Sequence, residues 1–156
     1  MRTIALAFAV FSLVASASAA EIYKLNKTAK AGKELSVAWY FKIKDNCEFK
    51  EFPEIDLNIP PEGGTVCMRS DMVPVRNIWS GRNQHCIGTM VRGVRVIYFP
   101  LGSFTGLDSM QFRAMTRTFE AKISVEAGEA TAVGASSAPS EPQKAGPMPT
   151  CSALVS

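Results

Sequence analysis

Between Glu34 and Val125, large apolar residues recur at every second position, in short runs separated by glycine, proline and charged residues. That period belongs to strands with one buried face, because successive side chains of a strand point to opposite sides. In "ELSVAWYFKI" (34–43), Val37, Trp39, Phe41 and Ile43 fall on one face and Ser36 and Lys42 on the other. "EIDLNI" sets Ile55, Leu57 and Ile59 against Asp56 and Asn58, and "TVCMR" (65–69) starts a further strand. "GVRVIYF" aligns Val94, Val96 and Tyr98, "SMQFRA" aligns Met110 and Phe112, and "TFEAKISV" aligns Phe119, Ala121, Ile123 and Val125. No segment of this region keeps a helical period. Several short strands with turn signals between them predict an all-β domain. The inward faces are large and apolar with no sign of a polar lumen, which favours an antiparallel sandwich over a barrel.

Parity carries further information. Met110 and Phe112 are even, whereas Phe119 to Val125 are odd. One regular strand cannot bury both sets, so a turn closing a final hairpin is expected between Ala114 and Thr118. Pro60-Pro61 and Gly63-Gly64 predict a second turn.

The connection "FPLGSFTGLDSM" (99–110) concentrates turn chemistry. Pro100 ends the strand that carries Tyr98, because proline donates nothing to a ladder. Gly102 and Gly106 permit positive φ. Asp108 is placed to accept backbone N–H groups inside the turn, and Phe104 is expected to plug the open end of the sandwich. Each residue has a local structural reason to be present, and the stretch holds no second acid and no base to activate a hydroxyl. It reads as a structural corner and not as an active site.

The ends of the chain read differently. "MRTIALAFAVFSLVASASAA" (1–20) combines a positive start at Arg2, an apolar stretch from Thr3 to Val14, and small residues around Ala17 and Ala19. This is the layout of a secretory signal peptide, cut before Ala20 or Glu21. Its apolar run falls short of the roughly 20 residues a membrane-spanning helix needs. Residues 127–156 are rich in Ala, Gly, Ser and Pro, hold no aromatic residue, and predict a disordered tail or tether. The expected domains are therefore a signal peptide (1–20), one β domain (21–126) and a tail (127–156). Export implies a periplasmic or secreted location, with no membrane insertion after signal cleavage.

All four cysteines, Cys47, Cys67, Cys86 and Cys151, lie outside the leader. In an exported chain an even count suggests disulfides, and four cysteines allow three pairings among which sequence does not choose. Cys151 sits in the tail, so it is the one expected to stay free or to pair last. Cys47–Cys86 is the favoured bridge. Cys67 is then either a buried thiol or the partner of Cys151. There is no Cys-x-x-Cys, and the single histidine is His85. A copper site from His85 with Met68, Met72 or Met90 lacks any ligand spacing. No metal or other cofactor is expected.

At the corner the sequence resembles a known pattern. "VIYFPLGSFTGLDSMQF" is similar to the Y-x-P-x-x-x-F-x-G-x-D-x-F-x-Y signature of bacterial immunoglobulin-like and cadherin-like domains. Tyr98, Pro100, Phe104, Gly106 and Asp108 match it directly. Met110 stands where the pattern has Phe, and Phe112 where it has Tyr. "PPEGGTV" looks like the proline-glycine turn of that family. The order of these motifs, with Cys47 and Cys86, resembles a group of small exported single-domain proteins of Gram-negative bacteria. The resemblance covers roughly residues 31–125 and implies a single immunoglobulin-like antiparallel β-sandwich, a scaffold that serves many tasks. Calcium, which some cadherin-like relatives bind through acidic clusters, is not implied, because Asp108 has no acidic neighbours in sequence.

The net charge of +3 gives no argument for nucleic acid or membrane binding. No Ser-His-Asp set, paired-carboxylate motif or glycine-rich phosphate loop is present, so no enzymatic activity is expected. Residues 69–92, "RSDMVPVRNIWSGRNQHCIGTMVR", read as a long irregular loop holding Arg69, Arg76, Trp79 and Arg82. Arg and Trp dominate binding hot spots, and loops on rigid scaffolds often carry recognition. The expected function is a non-catalytic exported protein-binding module of the bacterial envelope. Its partner would be a protein or an envelope component, met through the 69–92 loop or a sheet edge. The alternatives are a structural or accessory envelope protein without a discrete ligand, and a periplasmic metal-binding protein. Oligomeric state is not legible.

Overall fold

The computed structural model describes residues 21–76, 81–128 and 142–151, with residues 81 and 82 described through their backbone only. The strands are β1 (Ile22–Lys30), β2 (Leu35–Tyr40), β3 (Lys42–Ile43), β4 (Phe49–Glu51), β5 (Ile55–Ile59) and β6 (Gly64–Pro74), followed after a short 3-10 segment (Gly81–Cys86) by β7 (Met90–Pro100), β8 (Gly106–Ala114), β9 (Arg117–Glu126) and β10 (Gly146–Pro147). They form a five-stranded sheet in the order β1-β9-β8-β5-β10, a three-stranded sheet in the order β2-β7-β6, and the small pair β3-β4. The chain is all-β, as its alternation predicts. Most neighbours are antiparallel, but β1 runs parallel to β9 from Ile22↔Thr118 to Lys30↔Glu126. The signal-peptide reading of residues 1–20 lies outside the described residues.

One cluster unites the two larger sheets. Ile55, Leu57, Met110, Phe112, Phe119, Ala121, Ile123 and Val125 enter it from the five-stranded sheet, and Val37, Val66, Val94, Val96 and Tyr98 from the three-stranded one. Phe112 and Phe119 stack at 5.5 Å between ring centroids, and Tyr40 of β2 meets Phe119 at 5.4 Å, tying the sheets together. Each Val, Leu, Ile, Phe or Met side chain among them contributes about 1.5–3 kcal/mol when fully buried.

The final hairpin forms where parity requires it. Ala114 pairs with Arg117, leaving Met115 and Thr116 as the turn, with Met115 at φ 56°. Two other faces depart from simple alternation. The β2–β7 register shifts between Ser36 and Ala38, so Val37, Ala38 and Tyr40 all turn to the main core. Trp39, Phe41 and Ile43 then pack against a second cluster instead. A bulge places two successive residues against one and flips the face of everything after it. Similarly, the β5–β8 register shifts between Leu57 and Ile59, and Ile59 is 54% exposed instead of buried.

The tail is corrected over residues 142–151. β10 adds to β5 as Gly146↔Leu57 and Pro147↔Asp56, and Met148 is buried in the main core. Two residues on, Thr150 bridges Met68 of β6, and the Met68 N–H donates to the Pro149 carbonyl at 2.7 Å. Gln143 imitates a strand with its side chain: Oε1 accepts from the Val66 N–H at 3.0 Å and Nε2 donates to the Val66 carbonyl at 2.6 Å. Cys67–Cys151 locks the segment, across 84 residues of sequence. Cys151 is thus neither free nor in a loose tail. The segment lies across the edges of both sheets, and backbone pairing plus one covalent bond hold what its few apolar side chains could not.

Candidate functional site

The 69–92 segment is not one loop. Arg69–Pro74 completes β6 and Met90–Arg92 begins β7, paired from Arg69↔Arg95 to Pro74↔Met90. Its charges sit inside strands because they find partners there. Arg69 donates to both carboxylate oxygens of Glu34, at 2.8 and 2.9 Å, and Arg95 Nε lies 2.9 Å from Asp71 Oδ2. The Arg69 guanidinium holds the Glu34 carboxyl below the usual carboxylate range. Arg69 is therefore engaged within the fold.

The described residues between β6 and β7 (75–76 and 81–89) lie at the far end of the sheet, where Val75 exchanges backbone hydrogen bonds with Gly88 and Thr89 and the second cluster forms. Val73, Val75, Cys86 and Val91 pack with Trp39, Phe41, Ile43 and Cys47. The bridge favoured from the sequence, Cys47–Cys86, is present and joins this segment to the β3–β4 excursion. Trp39 anchors the cluster, donating its indole N–H to the Pro74 carbonyl at 3.1 Å. Arg76 lies over the Trp39 ring, 5.5 Å from its centroid. Trp79 and the side chain of Arg82 lie outside the described residues. The four candidates Arg69, Arg76, Trp79 and Arg82 are thus not shown as one surface: Arg69 is paired on the sheet, Arg76 rests on Trp39, and the other two are undescribed.

The opposite face of the same sheet end presents an exposed patch of apolar side chains around an arginine. Along β7, the side of the strand that faces the main core goes from fully buried Tyr98 and Val96 to 53% exposed at Met90. Met72 of β6, paired with Arg92 of β7, is 45% exposed. The Arg92 guanidinium sits 5.3 Å from the Phe49 ring centroid and 5.6 Å from that of Phe52. Phe49 and Phe52 touch at 4.9 Å, and Phe52 is 42% exposed. Arg92 was visible as one arginine among several in sequence. Its aromatic platform was not, because Phe49 and Phe52 sit about 40 residues upstream in a stretch without alternation.

A potential ligand triad lies nearby. The donor atoms of Cys47, His85 and Cys86 fall within 4.8 Å of one another. Both sulfurs are joined in the disulfide, and His85 Nε2 is 2.8 Å from the Asp45 carbonyl, to which it can only donate. Oxidised, the group offers a metal no free thiolate. Met72 and Met90 lie on the other face of the sheet from this cluster, and Met68 packs against the main core, so none forms a set with His85.

The corner is arranged around Asp108, 7% exposed. Its Oδ2 accepts from the Tyr98 hydroxyl at 2.7 Å and the Gly63 N–H at 3.0 Å, and its Oδ1 accepts from the N–H groups of Glu62 and Ser109 at 3.1 and 2.8 Å. The aspartate therefore reaches across to the 62–63 turn; only the Ser109 contact is local. Burial and then Asp108 push the Tyr98 phenol well above its ordinary range. Pro100 is the last residue of β7, opposite Gly64, and Phe104 is partly buried against the main core. Gly106 has φ 119°, whereas Gly102 does not take a positive φ.

Among the described residues no helix is long and apolar enough to cross a membrane. No protein-family model matches the chain, and neither a curated protein nor a solved structure matches it.

Proposed function

We propose that this chain is a non-catalytic, exported protein-binding module of the bacterial envelope, built on an immunoglobulin-like sandwich, which meets its partner through the exposed end of the three-stranded sheet. Strand order supports the fold assignment: β9-β8-β5 opposite β2-β7-β6 follows the G-F-C and B-E-D order of immunoglobulin-like domains, with the first strand beside the last. The Tyr98–Asp108 corner agrees with the signature that suggested it. Two disulfides suit an oxidising compartment. The non-catalytic reading draws support from Asp108, the one buried charged side chain among the described residues, whose acceptor sites are taken by four donors of the fold.

The observation that carries the proposal is the patch of Phe52, Met72, Met90 and Arg92. Exposed methionines and aromatics around an arginine are the residue types that adaptable binding surfaces use. The test is in-cell cross-linking and co-purification of the native protein beside a Met72→Lys/Met90→Lys variant of unchanged melting temperature. A discrete partner lost in the variant supports the reading. A partner retained moves recognition away from this surface. No partner in either sample favours an accessory envelope role.

A further inference from the structure

We infer that the group recognised at this patch is a carboxylate flanked by apolar side chains, an acidic-apolar segment of another protein seated on Arg92. The inference rests on the binding-module reading and names the chemistry of the partner.

Arg69 meets Glu34, Arg95 meets Asp71 and Arg113 meets Asp56, each within 2.9 Å. Arg92 makes no ion pair among the described residues, and its guanidinium lies over two phenyl rings. A guanidinium lying over aromatic rings keeps the N–H groups at its edge available, in a fork that matches a carboxylate. Holding the cation on rings also lowers the ordering cost of binding, since its side chain is already placed.

The surroundings choose among anions. Phe52, Met72 and Met90 are 42%, 45% and 53% exposed, so the cation is bordered by apolar surface. Of the three lysines in the β3–β4 excursion, Lys42 is paired with Glu51 and Lys44 with Glu48, while Lys50 alternates with Phe49 along β4 and so points to the opposite side of the strand. One guanidinium lying over two phenyl rings and bordered by apolar side chains suits a single carboxylate between apolar residues. Polyphosphates, nucleic acids and anionic membranes draw their affinity from several cations together.

The test uses the chain without its leader (residues 21–156). The probes are the capped peptide acetyl-Leu-Phe-Glu-Leu-Phe-amide and its Gln counterpart, titrated while the Arg92 Nε–H and the Met72 and Met90 methyl NMR signals are followed. The expected result is saturable shifts at all three residues, with the Glu peptide binding about tenfold tighter than the Gln peptide. Arg92→Met is expected to erase that difference while leaving weak apolar binding. Equal affinity for both peptides, or no shift at the patch, overturns the inference. Shifts produced by anionic phospholipid vesicles and not by the peptide also overturn it, assigning the patch to a membrane surface. If the cross-linked partner is lost in the methionine variant yet the peptides bind equally, the binding-module reading stands and only the carboxylate fails. If the partner survives both the methionine variant and Arg92→Met, the patch itself is wrong.

Discussion

The Tyr98 hydroxyl donates to Asp108 Oδ2 at 2.7 Å, joining the end of β7 to the start of β8 inside the fold. Three backbone N–H groups share the same carboxylate. Removing one partner of this network leaves buried polar atoms unmatched. Tyr98→Phe takes away one charge-assisted bond and is expected to cost about 1.5–3 kcal/mol. Asp108→Ala also strands the Gly63 N–H and the Tyr98 hydroxyl and is expected to cost more than Tyr98→Phe. Asp108→Asn should fall between them, because its amide group turns a donor toward other donors. Urea unfolding of the three variants gives the order directly, and an Asp108→Ala loss no larger than that of Tyr98→Phe would contradict the network.

The same tyrosine sets an alkaline limit. Burial raises the Tyr40 phenol, and burial together with Asp108 raises the Tyr98 phenol, both far above the ordinary value of 10. A group with a raised folded-state pKa contributes its stability in full below the unfolded pKa, and that contribution is lost as pH rises. Unfolding free energy is therefore expected to hold near neutral pH and to decline above about pH 10. Tyr98→Phe should start lower and decline less steeply. Denaturant titrations between pH 8 and 11 measure both slopes, and parallel slopes for the two proteins would remove Tyr98 as the cause.

These features were unequally legible in the sequence. The alternation of β7, β8 and β9 gave their buried faces, because both sheets bury those strands' inward sides without a bulge. The turn at Met115 followed from parity alone. The bulge at Val37 has no glycine to mark it, so simple alternation puts Trp39 on the wrong face. In sequence β6 reads as ending at Arg69, because the charges of Arg69 and Asp71 look like loop while their partners Glu34 and Arg95 lie far off along the chain. The segment 142–151 has the composition of a disordered tail and is held by Cys67 and by backbone pairing, neither of which leaves a periodic trace. At the candidate site, arginine was the right residue type in the right stretch, but the phenyl rings that distinguish Arg92 come from a different part of the chain.

The C-terminal segment gives a third prediction. In the chain-entropy model, a bridge closing 84 residues stabilises by about 4–5 kcal/mol. Cys67→Ala/Cys151→Ala is expected to lose much of that and to free the edges of β5 and β6. Exposed edges template intermolecular pairing, so the variant should aggregate on heating where the parent refolds. Gln143→Ala removes two hydrogen bonds to Val66 and is expected to cost about 1–2 kcal/mol without aggregation. Calorimetry with light scattering separates the two outcomes, and an unchanged melting temperature in the double cysteine variant would mean that the segment adds nothing to the fold.

Gly63 and Gly64 provide the last prediction, and they differ in a way that "PPEGGTV" does not show. Neither adopts a positive φ. Both are glycine because the corner presses on them. A Cβ on Gly63 would lie 2.4 Å from the Phe104 ring, which is only partly buried and has room to swing outward. A Cβ on Gly64 would lie 2.3 Å from the Tyr98 ring and 2.6 Å from the Phe99 carbonyl oxygen. Tyr98 is held by Asp108, and the carbonyl belongs to the β6–β7 ladder, so neither can yield without breaking something else. Overpacking of this kind costs about 1–3 kcal/mol. Gly64→Ala is expected at or above the upper end of that range and Gly63→Ala at or below the lower end. Phe104→Ala should rescue Gly63→Ala in a double-variant cycle and leave the Gly64→Ala penalty intact. Equal penalties for the two alanines would show that the pressure of the corner is not transmitted through Tyr98.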